Sequence, residues 1–490
     1  TTAADAPQPV GLVKTVTDAL NLTTTFTYDA SGQLVITRDA ENQETHFAYD
    51  AYGRVTDVTD PLGRVTHTEY DLAGNPRFVT LDYLPGQPQD EQNQYNLLSE
   101  FVYDERGRLT QTRRDLDETT TLTETVVYDD AGRIHQTLDA LDQATTYGYL
   151  PTGQIETITD PLGHTTTSVY EETPKTGRLK QVKDATGRVI QTYTYYPDGT
   201  VKTLTLPTVH TPTDPADYIL TYHYDLLNRV IGITDNVGHS SGVSYDAYGN
   251  TLDHTDGLGR VTKYEYNELG LLWTVTQNYL ENVTPDEETN VLTGYTYNKL
   301  GQLTALTDAN GHTTAYAYDP LGRLWTVTDA RQQVTEYGYD ANGNRTSVLD
   351  ANGNTTTFHY DRVDRLHSID YPGGVSEDVQ LWYDALSRLT GMDDDLGHTA
   401  WGYDDAGRIT SVTDPFSQVV GYGYDDAGRR TSLTYPGGRS LTYQYTPDDQ
   451  LEHVLEGAQP WVDYVYDAYS GRITHASLAN GVTTEYAFDY

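Results

Sequence analysis

A tyrosine, usually followed by aspartate, recurs along this chain at a nearly constant spacing. Aligned on this residue the sequence has 21 registers, and twelve of the 20 intervals between them are 21 residues long. A fixed period of this length is typical of tandem-repeat proteins, whose units bury surface only against their neighbours. The spacing predicts one continuous array over residues 11–490. Residues 1–10 are predicted to be a linker or a cloning remnant.

The unit that runs from Asp50 to Tyr70 shows what each period encodes. Asp50–Gly53 and Asp60–Gly63 both have Asp at the first and Gly at the fourth position, as turns do. Between them lie strand-length runs, Arg54–Thr59 and Arg64–Tyr70, rich in Val and Thr. Each period therefore predicts a β-hairpin. The fold class is predicted to be all-β, an antiparallel meander of about 42 strands.

Alternation within the strands predicts which side chains share a face of the sheet. Tyr316 and Tyr318 are two residues apart, as are Trp325 and Val327, so each pair is expected on one face. Open twisted sheets rarely exceed about ten strands without curling. A strip of about 42 strands is therefore predicted to coil into a spiral or a hollow shell.

The recurring Tyr-Asp-x-x-Gly-Arg motif resembles the signature of the YD-repeat, or RHS-repeat, family. The resemblance extends from Gly11 to Tyr490 and implies a large secreted or cell-surface protein. It implies a shell like those of bacterial Tc-toxin cocoon subunits and RHS toxins, which enclose a toxin, or of teneurins, which serve in adhesion. The clearest copies are Tyr49, Asp50, Gly53 and Arg54; Tyr318, Asp319, Gly322 and Arg323; and Tyr403, Asp404, Gly407 and Arg408.

The functional hypothesis is a non-catalytic scaffold, a shell segment that would wall off or present a cargo in the full-length protein. Its expected partners are other parts of the same parent protein, and its expected location is extracellular or at the cell surface. The alternative is an adhesion module that binds carbohydrate or a cell-surface receptor. In that alternative Trp273, Trp325 and Trp382 would stack on sugar rings.

Charge and composition exclude several classes of partner. The 72 acidic and 31 basic residues give a net charge of −41, which disfavours nucleic acid and anionic membranes. No apolar stretch approaches the roughly 18 residues of a membrane helix, so no membrane insertion is expected. The chain has no Cys, which excludes disulfides and thiolate metal sites.

Motifs for chemistry are weak, and neither an enzyme nor a cofactor is predicted. Gly238–Gly242 matches the G-x-S-x-G pattern but falls at a turn between strands, where a nucleophile elbow requires a helix. A hydrolase is the least favoured alternative. Asp393, Asp394 and Asp395 are weak candidates for a cation site.

Two further features of the sequence, inserted segments and a recurrent arginine, lead to predictions. Extra residues lengthen the array near 82–96, 203–217 and 277–291, as loops that either contact a partner or are tolerated surface insertions. The Arg that follows the motif Gly is expected to stack on a neighbouring Tyr or to pair with a turn carboxylate. These arginines are Arg54, Arg108, Arg133, Arg229, Arg323, Arg388, Arg408 and Arg472.

Overall fold

All regular structure in the described chain is β-strand. The structure, a computed structural model, describes residues 11–17, 23–85, 97–115, 120–172, 176–206, 218–236, 238–373, 379–446, 450–466 and 472–487. It contains 42 strands and, within those ranges, no helix that could cross a lipid bilayer. Val, Thr and Tyr, which favour extended backbone, fill about half of the strand positions.

The strands are numbered in chain order. They are β1 (Thr15–Thr17), β2 (Thr23–Tyr28), β3 (Leu34–Arg38), β4 (Glu44–Tyr49), β5 (Val55–Thr59), β6 (Val65–Tyr70), β7 (Pro76–Leu81), β8 (Leu97–Tyr103), β9 (Leu109–Asp115), β10 (Thr121–Tyr128), β11 (Ile134–Leu138), β12 (Ala144–Tyr149), β13 (Ile155–Thr159), β14 (Thr165–Tyr170), β15 (Leu179–Lys183), β16 (Val189–Tyr195), β17 (Val201–Leu206), β18 (Tyr218–Tyr224), β19 (Val230–Asp235), β20 (Ser240–Tyr245), β21 (Thr251–Thr255), β22 (Val261–Tyr266), β23 (Leu272–Gln277), β24 (Val291–Tyr297), β25 (Leu303–Thr307), β26 (Thr313–Tyr318), β27 (Leu324–Thr328), β28 (Val334–Tyr339), β29 (Arg345–Leu349), β30 (Thr355–Tyr360), β31 (Leu366–Asp370), β32 (Val379–Tyr383), β33 (Leu389–Asp394), β34 (Gly397–Tyr403), β35 (Ile409–Thr413), β36 (Val419–Tyr424), β37 (Arg430–Thr434), β38 (Ser440–Tyr445), β39 (Leu451–Glu456), β40 (Gln459–Tyr466), β41 (Ile473–Leu478) and β42 (Thr483–Glu485).

Each strand pairs with the next strand in an antiparallel ladder. The first ladder joins β1 to β2 and the last joins β41 to β42, so the two ends of the sheet are open edges. All 42 strands belong to one sheet. The predicted all-β meander is therefore confirmed.

The two kinds of turn lie on opposite rims of this strip. First turns, which follow the motif tyrosines and begin with Asp29–Gly32, form the first-turn rim; second turns, which begin with Asp39–Asn42, form the second-turn rim. In β26–β27, joined by a first turn, the register runs from Ala315↔Thr328 to a bulge at Tyr318↔Leu324. In β27–β28, joined by a second turn, it runs only from Thr328↔Val334 to Thr326↔Glu336. Successive hairpins therefore pair beside the second-turn rim and separate towards the first-turn rim.

The bulge also decides which face Trp325 occupies. Tyr316 pairs with Val327, so both lie on one face, which we call the tyrosine face. Trp325 is the extra residue of the bulge, and its indole N–H donates to Glu336, the register partner of Thr326 on the opposite face. The expectation that Trp325 and Val327 share a face is wrong, because one inserted residue reverses the alternation.

Contacts between distant repeats show how the strip coils. An Arg64 Nη1 hydrogen donates to the Asp340 carbonyl oxygen at 3.2 Å, and Gln143 Nε2 lies 3.4 Å from Asp405 Oδ1. These contacts join the second and fifth second turns to the fourteenth and seventeenth first turns. His164 Nε2, in the sixth second turn, lies 3.6 Å from Asp426 Oδ1 in the eighteenth first turn. The constant offset means that one coil of the spiral contains twelve repeats.

The strip is thin, and both of its faces retain access to solvent. Its accessible surface is 28945 Å², against the roughly 18,000 Å² expected of a compact protein of 54.6 kDa. Few apolar side chains in the described ranges are buried; they are Leu97, Leu122, Val363, Leu441, Tyr443, Val454 and Ala476. No thick core fills the coil in those ranges, so stability comes from contacts between successive hairpins.

One lengthened second turn is described in full, the segment between β23 and β24. Its centre is Asn290, whose amide donates to the carbonyl oxygens of Leu280 and Val283 and accepts from the Leu280 N–H. Asn290 is buried. The predicted loop near 277–291 is therefore an internally bonded turn on the second-turn rim. Residues 86–96 and 207–217 of the other two predicted loops lie outside the described residues.

The glycine that ends a first turn provides a local test of this geometry. Gly322 has φ of +79°, a left-handed conformation, whereas Gly294 in β24 has open space at its Cβ and no positive φ. Gly322→Ala should destabilise the turn by about 1–2 kcal/mol, because L-residues resist that conformation. Amide hydrogen exchange at residues 319–324 should accelerate accordingly. Gly294→Ala is the control, and an equal acceleration there would contradict the assignment.

Candidate functional site

The motif residues of each repeat meet at the first-turn rim, and Asp319 organises one example. Its Oδ1 accepts the backbone N–H groups of Leu321 and Arg323, each at 2.9 Å. Its Oδ2 accepts Nε–H of Arg323 at 2.7 Å. The carboxylate thus satisfies the turn backbone and fixes the guanidinium, as Asp at the start of such a turn can.

The guanidinium of Arg323 then reaches the following repeat. An Nη1 hydrogen donates to the carbonyl oxygen of Asp340, the first residue of the next first turn, at 2.9 Å. The guanidinium carbon also lies 4.6 Å from the ring centroid of Tyr339, within cation–π range. One arginine therefore bonds its own turn and the next one, across the gap where successive hairpins separate.

The motif tyrosine closes the same gap from the other side. The Tyr339 hydroxyl donates to the carbonyl oxygen of Leu324 at 2.7 Å. Leu324 lies at the bulge of β27, beyond the last registered pair between β27 and β28. The phenol thus supplies a hydrogen bond between these strands where their ladder has ended. We call Asp319, Arg323 and Tyr339, with their equivalents in other repeats, the rim clamp.

The rim clamp recurs along the array. Arg54 bonds Asp50 through Nε at 2.7 Å and lies 4.5 Å from the Tyr70 ring; Arg408 bonds Asp404 at 2.7 Å and lies 4.7 Å from the Tyr424 ring. The hydroxyls of Tyr49, Tyr318 and Tyr403 donate to the carbonyls of Leu34, Leu303 and Leu389. Both expected contacts of the motif arginines occur. They are present at Arg54, Arg108, Arg133, Arg229, Arg323, Arg388 and Arg408, whereas the turn before Arg472 lies outside the described residues.

The recurring motif matches a known family of repeat sequences. The sequence model of the RHS Repeat family matches residues 9–44, 49–83, 245–279, 297–334, 326–355, 339–376 and 403–440. The matched segments of this chain are RHS repeats. The matched segments lie in both the first and the second coil, and they include the motif copies at Asp50, Asp319 and Asp404.

Solved structures with similarity to these RHS repeats come from Tc toxins. The crystal structure of TcdB2-TccC3 without its hypervariable C-terminal region is 13% identical with a TM-score of 0.49, over 93% of this chain and 37% of that one. TcdB2-TccC3-TEV is 16% identical with a TM-score of 0.39, over 93% of this chain and 26% of that one. The Photorhabdus luminescens Tc holotoxin pore is 16% identical with a TM-score of 0.36, over 94% of this chain and 28% of that one.

This chain therefore spans 26% to 37% of the length of those chains. Among curated proteins, no sequence matches it.

The carboxyl groups of two rim clamps, Asp50 and Asp404, have pKa values below the ordinary value. The pKa of Asp50 is lowered mainly by the hydrogen bond from the Arg54 backbone N–H. Burial of Asp50 opposes this effect, and the hydrogen bond from the Arg54 guanidinium adds to it. At Asp404 burial acts to raise the pKa, but hydrogen bonds from the backbone and guanidinium of Arg408 bring it below its ordinary value. Burial raises the pKa of Tyr318 and Tyr403. At these positions hydrogen bonding thus favours the charged form of Asp, and burial favours the neutral form of Tyr.

The three candidate tryptophans do not form one site. Trp273 and Trp325 both occupy bulge positions, in β23 and β27, and are 55% and 47% exposed. Trp382 instead pairs with Gly391 and lies edge-on to His398, with ring centroids 5.5 Å apart. The indole N–H of Trp325 already donates to Glu336 at 3.0 Å. Trp273 is the most exposed of the three rings.

The three consecutive aspartates serve different parts of a tight hairpin. Asp393 Oδ1 lies 2.7 Å from His398 Nδ1, while Asp394 Oδ1 accepts the N–H of Leu396 at 2.8 Å. Asp395 is exposed in the turn between β33 and β34. Within the described ranges, no three His, Asp or Glu side chains are placed to hold one metal ion.

Sequence reasoning found the motif residues but missed two of their contacts. It did not predict the hydroxyl-to-carbonyl bond of each motif tyrosine or the bond from each arginine to the next turn. A separation of 15 residues in the sequence between Tyr339 and Leu324 recurs at Tyr49 and Tyr318, and this recurrence was the available signal. The link from Arg64 to Asp340 had no such signal, since 276 residues separate them.

Removing one hydroxyl tests the tyrosine bond. Tyr318→Phe should destabilise the local hairpins by about 0.5–1.5 kcal/mol, because the bond to Leu303 is lost without a change of shape. Hydrogen exchange at the ends of β25 and β26 should accelerate. The matched control is Tyr316→Phe on the same face, since the Tyr316 hydroxyl makes no hydrogen bond in the described part of the chain. Equal effects from both variants would argue against the clamp.

The pKa shifts predict a stability plateau with losses at both extremes of pH. Lowered pKa values at Asp50 and Asp404 mean that the clamp contribution is complete above the ordinary Asp pKa of about 3.9 and lost as pH falls through the folded values. Raised pKa values at Tyr318 and Tyr403 mean that their contribution is complete below about pH 10 and lost above the folded values.

Thermal unfolding followed by circular dichroism across pH would measure this plateau. Acid also neutralises the net charge of −41 and relieves repulsion, which acts in the opposite direction. A midpoint that rises steadily down to pH 2 would therefore contradict the role assigned to the carboxylates.

Proposed function

We propose that this run of RHS repeats is a non-catalytic segment of the wall of a larger secreted or cell-surface shell. The wall would isolate or present a cargo that belongs to another part of the same parent protein. Its partners would then be the remaining wall and that cargo, with no cofactor.

The observation that carries the proposal is the contact between coils at a constant offset of twelve repeats. The second-turn rim of the first coil meets the first-turn rim of the second coil through Arg64, Gln143 and His164. A strip that returns on itself at one fixed offset encloses an axis. A wall function requires this arrangement, whereas a straight rod of hairpins would enclose nothing.

The dimensions of one coil are suitable for a container. Twelve repeats contribute 24 strands, and at about 4.8 Å per strand they give a circumference of roughly 115 Å, or about 37 Å across. Side chains extend about 5 Å from a sheet, which leaves a lumen roughly 25 Å wide. That width admits an extended polypeptide or a small folded element.

A non-catalytic role agrees with how the abundant polar residues are used. The Asp and Arg side chains of the motif are occupied in rim clamps, as at Asp319 and Arg323. His398 pairs with Asp393 between the adjacent strands β33 and β34. These groups stabilise turns and strand pairs.

The adhesion alternative depends on Trp273, Trp325 and Trp382. Trp325 is hydrogen-bonded to Glu336 and Trp382 packs against His398, so both rings already make contacts within the chain. Binding of oligosaccharides by the wild-type chain that Trp273→Ser abolishes would favour that alternative over the wall.

Electron cryo-microscopy of the dilute chain tests the wall. End views should show a ring roughly 45–50 Å across around a lumen without density, since the strip is one sheet thick. A straight rod or a filled disc would overturn the proposal.

Variants can show that the contacts between coils hold the ring together. Replacing Arg64, Gln143 and His164 by Ala should increase the radius of gyration in small-angle X-ray scattering and leave the β-sheet dichroism unchanged. The matched control replaces residues of the same types at second turns further along, where the described residues show no contact across coils: Arg260, Gln333 and His312. An equal expansion in both triple variants would contradict the role of the contacts.

A further inference from the structure

The two coils meet along a line that we call the seam, where second turns of the first coil face first turns of the second coil. Three contacts cross it in the described residues, through Arg64, Gln143 and His164. Each of these residues closes its own second turn, because its carbonyl oxygen accepts the N–H of the Asp that opens the turn. One position of the second turn therefore supplies the side chains that cross the seam.

Two of these second turns differ only in the residue at that position. Residues 60–63 and 160–163 both read Asp-Pro-Leu-Gly, and Arg64 follows one while His164 follows the other. Arg64 Nε donates to Asp60 Oδ2 at 2.7 Å, and His164 Nδ1 lies 3.0 Å from Asp160 Oδ2. The same turn thus carries a permanent cation at one place and a titratable imidazole at another.

The group that faces these side chains across the seam also differs. Arg64 donates to the backbone carbonyl oxygens of Asp340 and Ala341. At the next two described contacts the residue equivalent to Ala341 is an aspartate. Its Oδ1 lies 3.4 Å from Gln143 Nε2 in one case and 3.6 Å from His164 Nε2 in the other. A carboxylate therefore faces the imidazole across the seam.

The imidazole of His164 lies between two carboxylates. Its Nδ1 faces Asp160 of its own turn at 3.0 Å, and its Nε2 faces Asp426 of the second coil at 3.6 Å. A neutral imidazole has one N–H, so its other nitrogen would present a lone pair to a carboxylate oxygen. An imidazolium donates from both nitrogens, and each contact is then between opposite charges. Both contacts are therefore favourable only when His164 is protonated.

The other charged groups at this contact come from the same two turns. Asp160 is the only Asp, Glu, Lys or Arg among residues 160–164. In the facing turn, Asp425 Oδ2 accepts from Arg429 Nε at 2.8 Å, and the Asp425 carbonyl oxygen accepts from Arg408 at 3.1 Å. These contacts place both arginines in rim clamps. The carboxylate that lies against the imidazole is that of Asp426, whose side chain is 87% exposed.

We propose that His164 is a pH-sensitive contact between the two coils, formed in mild acid and weakened at alkaline pH. Uptake of one proton from solvent lets the ring donate to Asp160 and Asp426 together, and loss of that proton leaves one of these contacts repulsive. Histidine is the side chain whose charge ordinarily changes between about pH 5 and 8. Arg64 and Gln143 keep their charge in this range, so the seam loosens at one place without separating. The inference rests on the proposed wall, which would be tighter in mildly acidic surroundings.

Spin labels placed across the seam test this contact, because the chain has no cysteine of its own. Thr166→Cys and Ala427→Cys would carry the labels at two exposed positions beside the contact, and pulsed electron paramagnetic resonance would measure their separation. The population with a long separation should increase about twofold to fivefold from about pH 5.5 to about pH 8, the range expected of one surface ion pair. His164→Arg makes the turn identical to the Arg64 turn and should remove this dependence on pH.

Variants of the facing turn supply a matched pair. Asp426→Asn should also remove the dependence on pH, because an amide can pair with a neutral imidazole. Asp130→Asn is its control, since residues 129–133 have the same sequence, Asp-Asp-Ala-Gly-Arg, and lie in the first coil. His312→Gln is a second control: His312 lies 3.0 Å from its own Asp308 and makes no contact across coils in the described residues. Both controls should retain the response of the labelled parent chain.

A separation that is the same at both pH values in the labelled parent chain would overturn the proposal, as would a dependence on pH that His164→Arg retains. Long separations at both pH values would reject the contact between coils as well. Ring-shaped particles whose seam does not respond to pH would reject the role of His164 alone, whereas straight rods would reject the wall.

Discussion

The separation of successive hairpins at one rim is the constraint on which the rest of the structure depends. A hairpin joined to the next only beside its second turn leaves a gap beside its first turn. Tyr339, Arg323 and Asp319 fill one such gap with a phenol-to-carbonyl bond, a guanidinium and a carboxylate. Each contact is weak in isolation, at about 1 kcal/mol for a neutral hydrogen bond and less for a solvated ion pair. Because these contacts recur in successive repeats, they hold the strip together. They also keep the separation between neighbouring hairpins similar from one repeat to the next.

A wall one sheet thick has no deep core, and its composition reflects that. Tyrosine suits this position, because its ring covers a neighbour while its hydroxyl reaches a carbonyl oxygen at the solvated edge. Asp suits the first position of each turn, because one carboxylate satisfies two backbone N–H groups and an arginine. The net charge of −41 is thus partly the consequence of a turn chemistry used many times over. Paired arginines neutralise part of it at the rim.

Much of the fold could be predicted from the sequence because the interactions that form each hairpin join residues close together in the chain. Gly322 requires a left-handed turn, Asp319 bonds groups within four residues, and the alternation of Tyr316 and Tyr318 assigns a face. Trp325 was misassigned because a bulge adds one residue, and a strand pattern with a period of two cannot show where that addition falls. The three tryptophans could be chosen as sugar-binding candidates, and the three aspartates as cation-binding candidates, from their residue types alone. Which side chains surround each of them depends on strand register, which residue type does not show.

By itself the sequence determined the hairpin unit, its length, its turn chemistry and the all-β meander, since these depend on interactions within about 25 residues. Only the tertiary structure decided that Arg64 meets Asp340 and that one coil holds twelve repeats. The physical reason is that a small angle between each hairpin and the next accumulates over many strands. This sum cannot be read from any single repeat, so the offset of twelve appears only when the strip has closed its first coil.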